Sequence, residues 1–233
     1  MADRPAQPFL TACWRNLLVV TYPVDDDLLA AHAPPSVTVD RLAGRARVSF
    51  VAFEFVRTRV YGVPIPGHTR FPEINLRFYV RAGPDRGIVF IRELVPRRAV
   101  ALVARARYNE PYTRIPMRVS VRPDGGRLEL SHVFGPGPST VTAEVDAAGT
   151  APREDSDDYW LTHQAFGFGR TRRGQMRRYR VDHPVWPLHA VHNLRMDVDF
   201  GGLYGAEWAF LGDTAPGHVS FAAGSDVAVY PPA

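Results

Sequence analysis

Glu73, Asn75, Arg77 and Tyr79 alternate along one stretch of the chain, which places a carboxylate, an amide, a guanidinium and a phenol on one face of a β-strand. Such a row could hold a small polar ligand through charge-assisted hydrogen bonds. It could also run acid–base chemistry, with Glu73 as base and Tyr79 as acid, for proton transfer or hydration on a small oxo-acid. Both roles require the row to face an enclosed interior. Facing water, it is the ordinary polar side of a half-buried strand, and periodicity alone favours that reading.

Other residue types narrow the chemistry. All 28 basic side chains counted as Lys+Arg are arginine, so no side chain here can form a Schiff base with a carbonyl. His163, His183, His189 and His192 could ligate a metal only if three converged. Pro184 and Pro187 argue against the helix that would align His189 with His192. They read as structural or surface histidines, and neither a metal nor a cofactor is expected. There is no Gly-x-Ser-x-Gly, Cys13 beside Trp14 reads as inert core, and Gly167-Phe168-Gly169 lacks the strand–turn–helix setting of a phosphate loop.

The 233 residues are 45% hydrophobic and carry a net charge of +4. The arginines are scattered, and their densest cluster, Arg170 to Arg180, is interrupted by Gly174 and reads as a hairpin connection, so nucleic acid is not an expected partner. A lone cysteine, the lack of a signal-like N-terminus and the lack of a long apolar run lead to the expectation of a cytoplasmic protein not embedded in a membrane.

The elements that must position these residues are mostly strands. Arg45 to Tyr61 reads as a long strand with apolar groups on both faces. Phe71 to Val80 alternates cleanly, and Ile88 to Val95 follows a turn at Gly83 to Gly87. Pro96 suits the first position of a helix continuing through Ala99 to Ala106, which would place Arg97 and Arg98 in its first turn, where an anion or Glu93 could offset the helix dipole. Arg118 to Arg122, Arg127 to Phe134 and Thr140 to Val145 read as a meander. Asp25 and Ser156 are N-cap candidates for short helices, the second over Tyr159 to Gln164. Gln175 to Val181, Leu188 to Val198 and His218 to Phe221 complete the pattern. The reading is one domain over residues 1–233, α+β but mostly β, with a closed or strongly curved antiparallel barrel and a few short helices.

The chain also resembles the DUF2071, or YqjF-like, family. The resemblance rests on Phe71-Pro72-Glu73-Ile74-Asn75-Leu76-Arg77-Phe78-Tyr79-Val80, Gly87-Ile88-Val89-Phe90, Ala104-Arg105, Pro111-Tyr112 with Met117, and His183-Pro184-Val185-Trp186-Pro187-Leu188. That family is similar in fold to acetoacetate decarboxylase, which implies a barrel-like sheet with a central pocket and suggests a homo-oligomer. In the decarboxylase an Arg-Glu pair is followed by Pro-Lys-Lys, whose first lysine forms the imine. Here Arg92-Glu93 is followed by Pro96-Arg97-Arg98, and a guanidinium cannot replace the attacking amine. The resemblance implies that Glu73 lies in the pocket and, with Asn75, Arg77, Arg92 and Arg97, binds a small organic acid or carbonyl compound non-covalently. A pocket that is only vestigial stays open as an alternative.

Overall fold

The computed structural model describes residues 7–97 and 111–232. In chain order the strands are β1 (Leu10–Val24), β2 (Thr38–Val39), β3 (Ala46–Val60), β4 (Val63–Pro64), β5 (Phe71–Ala82), β6 (Asp85–Val95), β7 (Tyr112–Arg114), β8 (Met117–Asp124), β9 (Arg127–Phe134), β10 (Ser139–Asp146), β11 (Phe166–Arg170), β12 (Met176–Asp182), β13 (Leu188–His189), β14 (Val191–Asp197), β15 (His218–Ala222) and β16 (Asp226–Val229). The helices are α1 (Asp26–Ala30), α2 (Asp157–Thr162) and α3 (Phe200–Tyr204), with a 3₁₀ segment at Ala206–Gly212. The Ser156 hydroxyl accepts from the Tyr159 backbone N–H and caps α2 as its sequence suggests. Asp25 precedes α1, but its side chain makes no cap bond.

The larger sheet closes on itself. Strands β1, β16, β12, β11, β6, β5 and β3 follow one another, and β3 pairs again with β1, making a seven-stranded barrel. Register shifts between Thr11 and Cys13, between Arg15 and Leu18, and between Leu76 and Arg77 mark bulges, which bend long strands around such a curve. A second sheet, in the order β14-β10-β9-β8, covers part of the barrel. Leu130, Phe134, Val141 and Val145 of that sheet pack with Val20, Phe50, Leu76 and Phe78. The alternate residues of the same barrel strands, Val19, Val51, Phe53 and Phe71, form a separate cluster with Trp186. Both faces of β1, β3 and β5 are therefore covered, which accounts for apolar side chains at odd and even positions alike.

Two expectations are corrected. The barrel is not wholly antiparallel: β6 pairs in parallel with β7 and with β11. The chain returns to β6 after long excursions instead of a tight hairpin, and parallel neighbours require such crossovers. Leu188 to Val198 is not one strand. It divides at Ala190 into β13, which joins the barrel sheet beside β15, and β14, which joins the small sheet beside β10. Pro96 lies in a bend and Arg97 follows it outside regular structure, while the rest of the expected helix, Arg98 and Ala99 to Ala106, lies outside the described residues. Among the described residues no helix is long and apolar enough to cross a membrane.

Candidate functional site

The polar row of β5 sits against β3 in the register Phe53 to Glu73, Val51 to Asn75 and Ser49 to Arg77. On its other side, Asn75 lies opposite Glu93 of β6, and Glu93 is in register with Tyr112 of β7. Glu73, Asn75, Arg77, Glu93 and Tyr112 all line one cavity of about 220 Å³, whose walls also include Trp14, Phe53, Phe71 and Trp186. Glu73 and Glu93 are each 2% exposed and Asn75 is 1% exposed, so this end of the cavity is sealed from bulk water. The row faces inward at these three β5 positions.

Asn75 Nδ2 donates to Glu73 Oε1 at 3.2 Å, and the Tyr112 hydroxyl donates to Glu73 Oε2 at 3.1 Å. Burial pushes the Glu73 carboxyl up to about 7, against the opposing pull of those two hydrogen bonds and of the Arg77 charge. The Tyr112 hydroxyl is held well above its ordinary range, by burial first and then by the charges of Glu73 and Glu93, and it also hydrogen-bonds Glu93. Tyr112 thus stands between two buried carboxyl groups, Glu73 and Glu93, on the cavity wall.

His183 stands on the same cavity, stacked on Trp186 with ring centroids 4.1 Å apart. Its Nδ1 lies 2.8 Å from the Pro184 carbonyl, which fixes Nδ1 as the N–H donor and leaves Nε2 as an acceptor. Burial holds its pKa down, at about 4, so the ring is neutral. His192 pairs with Asp146, and His189 meets the Asp146 carbonyl, so neither joins His183. Among the described residues no cluster of three His, Cys, Asp or Glu side chains could hold a metal ion. Cys13 is buried, in keeping with its apolar sequence context.

The other sequence candidates fall elsewhere. Tyr79 is 1% exposed, but its hydroxyl lies 2.7 Å from Ser49 Oγ and donates to the Leu161 carbonyl at 3.2 Å. Trp160 packs against its ring, and the phenol is a buried strut under α2, absent from the cavity lining. Arg92 also lies off the cavity, with Nη1 donating to the Leu203 carbonyl, because its strand position points it to the opposite side of β6 from Glu93. Arg97 is exposed and does not line the cavity either. Tyr112, Glu93, His183 and Trp186 had no assigned ligand role in the sequence. Their only signal was that Arg92-Glu93, Pro111-Tyr112 and His183 to Leu188 belong to recognisable motifs, and only the strand register shows that these meet.

Several buried polar atoms find no hydrogen-bond partner among the described residues, and they are not spread evenly. Trp14 Nε1, Thr58 Oγ1, Asn75 Oδ1, Arg77 Nε and Gln164 Oε1 all belong to residues lining this one cavity. A buried donor or acceptor left unmatched costs roughly 1–3 kcal/mol. Such a concentration in an otherwise aromatic wall is the pattern of a site completed by another molecule.

Residues 11–226 match the DUF2071 family, described as an uncharacterised conserved protein. The uncharacterised protein YqjF of Bacillus subtilis strain 168 is 30% identical over 186 residues, covering 75% of this chain and 73% of that one. Among solved structures, acetoacetate decarboxylase from Legionella pneumophila superposes with a TM-score of 0.62 at 14% identity, over 99% of this chain and 90% of that one. The enduracididine biosynthesis enzyme MppR complexed with pyruvate superposes with a TM-score of 0.63 at 15% identity, over 98% and 91% of the two chains. An acetoacetate decarboxylase-like enzyme from Sphingomonas wittichii RW1 gives 0.59 at 13% identity, over 97% and 94%. At these identities the likeness concerns the fold.

Proposed function

The chain belongs to the DUF2071 family and has an acetoacetate decarboxylase-like fold, and from that premise we propose that its barrel cavity binds a small carboxylate or carbonyl compound non-covalently. The observation that carries this reading is the gathering of unmatched buried polar atoms, Asn75 Oδ1 and Arg77 Nε among them, in one aromatic-walled cavity. Arg77 supplies the cationic N–H for the ligand's oxygen, and Phe53 and Trp186 cover its carbon skeleton. Schiff-base capture by a side chain is excluded chemically, since the sequence has no lysine.

Pyruvate is a natural first probe, because one structural neighbour holds it. Thermal unfolding with pyruvate, acetoacetate and simple aromatic carboxylates at millimolar concentration is expected to show stabilisation by at least one of them. A ligand at 100 times its Kd adds about 2.7 kcal/mol of stability, a shift of several degrees. Arg77→Ala is expected to abolish the response. No shift with any acid, or an equal shift in Arg77→Ala, sinks the reading.

A second reading is favoured by the Glu73–Tyr112–Glu93 chain itself: a carboxyl poised near neutrality beside a phenol is equipped to move a proton to or from a bound oxo-acid. Exchange of the ligand's α-hydrogens for deuterium, followed by NMR, reads that activity directly.

A further inference from the structure

The cavity has two unlike walls. Its polar row stands on β5, with Glu93 and Tyr112 beside it on β6 and β7. Around the closed barrel, β12 and β16 each lie three strands from β5, so they form the wall opposite the row. Val181 of β12 pairs with Val229 of β16, Val229 with Leu10 of β1, and Leu10 with Val60 of β3, and all four aliphatic side chains line the cavity. Phe9 and the Tyr179 ring pack with them. The sides between are aromatic: Phe55 stacks on Phe71 with ring centroids 4.8 Å apart, and Trp14 meets Phe53 edge-on at 5.4 Å. Polar atoms off the row include those of Thr58, Gln164 and His183, and Trp14 Nε1 comes to the level of Glu73, because Trp14 pairs with Phe55 and Phe55 with Phe71.

A cavity of about 220 Å³ exceeds the roughly 150 Å³ that lets an apolar core take up benzene. Pyruvate, no larger than benzene, would fill the side of the polar row and leave the aliphatic wall untouched. Protein interiors close apolar voids of that size, because every missing contact forfeits dispersion energy. The rim carries the same message. Ile65 lines the cavity and is 42% exposed, and Tyr61 and Val63 of the same β3–β5 connection are 46% and 57% exposed. The Tyr61 ring packs edge-on against Phe9 of the cavity wall, so apolar surface runs from the outside inward. We infer that the occupant is an amphiphilic acid, with a carboxylate head at Arg77 and an alkyl or aryl body of about six carbons reaching the Leu10–Val60–Val181–Val229 wall. Arg77 Nε, buried and without a partner among the described residues, donates to the head. The inference rests on the reading of the cavity as a binding site and adds the chemical class of its occupant.

The test holds the head constant and lengthens the body: pyruvate, 2-oxobutanoate, 2-oxohexanoate and 2-oxooctanoate are titrated into the whole protein by isothermal titration calorimetry. Affinity is expected to rise about two- to fourfold per added methylene, hence at least about thirtyfold from pyruvate to 2-oxooctanoate. The heat capacity change of binding should become more negative along the series, the mark of apolar surface leaving water. Val229→Phe, checked for folding by circular dichroism, fills the far wall and should erase most of the difference between 2-oxooctanoate and pyruvate. If that variant does not fold, the series on the unmodified protein decides alone. A series that stays flat or falls with length, or a gain that survives Val229→Phe, overturns this inference and leaves the binding function standing. Unchanged binding of all four acids by Arg77→Ala overturns both, as does binding of none of them together with no response to any other carboxylate.

Discussion

With arginine and histidine as its basic side chains, the cavity has no side-chain amine for imine formation, so a carbonyl compound bound as proposed would be met by hydrogen bonds and proton transfer. The group best placed for this is Glu73, whose burial raises it to about 7, where its protonated and ionised forms both exist near neutral pH. Tyr112 hydrogen-bonds it, and Arg77 offers the charge that would steady an enolate oxygen. If the site transfers protons, α-hydrogen exchange of bound pyruvate should disappear in Glu73→Gln and slow by about tenfold to a hundredfold in Tyr112→Phe. It should persist in Tyr79→Phe, because that phenol is spent on Ser49 and Leu161. Exchange that is absent in the unmodified protein, or that survives Glu73→Gln, leaves the cavity a binding site without this chemistry. The contrast between the two tyrosines also shows where reading one strand stops. Tyr79 shares the row's periodicity with Glu73, yet α2 covers it. Tyr112 has no periodicity to announce it, yet β6 delivers it.

Barrel closure depends on the parallel seam between β6 and β11, where Gly87 lies opposite Phe166. A Cβ on Gly87 would sit 2.2 Å from the Phe166 carbonyl oxygen and 2.8 Å from the Phe168 ring, so the two strands approach too closely for any side chain there. Gly87→Ala is expected to cost roughly 1–3 kcal/mol or more in urea unfolding, as overpacking does. Gly137→Ala, where an added Cβ meets nothing within 4 Å, should be close to neutral. Equal effects at the two positions would show that the seam is not tightly packed. The seam explains what the sequence could and could not disclose. The long two-faced strand over 46–60, the alternating strand over 71–82 and the capped helix at Asp157–Thr162 were legible because their signals are local: period, apolar content and an N-cap serine. The parallel pairings and the division of β13 from β14 were not, since both depend on partners far away in the chain. Glu73, Asn75 and Arg77 could be named from spacing, but their facing inward is a property of the closed barrel.

At the scale of the whole molecule, two buried titratable groups in different layers pull stability in opposite directions with pH. Glu73, inside the barrel, keeps its proton to about 7 when folded and loses it near 4.5 when unfolded, so the folded state binds more protons between those values and stability falls as pH rises through that window. His132, on β9 of the covering sheet, is 1% exposed, and neither ring nitrogen has a partner among the described residues. Burial holds its pKa down at about 4, against 6.5 unfolded, so the unfolded state binds more protons between those values and stability falls as pH drops from 6.5 toward 4. The two windows overlap, and the opposing slopes partly cancel in the unmodified protein. Substitutions should separate them. Glu73→Gln removes the loss on the alkaline side and should steepen the fall toward acid, with a gain at pH 8 of at most a few kcal/mol. His132→Leu removes two desolvated nitrogens from an apolar layer, so it should stabilise by roughly 1–3 kcal/mol and more at pH 5 than at pH 8. The double variant should keep a smaller fall in stability toward acid, left by His183, whose pKa burial also holds at about 4, and the effects of the two substitutions should add because the groups lie in separate clusters. Urea midpoints for the four proteins at pH 5 and pH 8 decide it: a His132→Leu gain that is equal at the two pH values would mean that His132 does not titrate with unfolding, and the balance between barrel and covering sheet would then need another source.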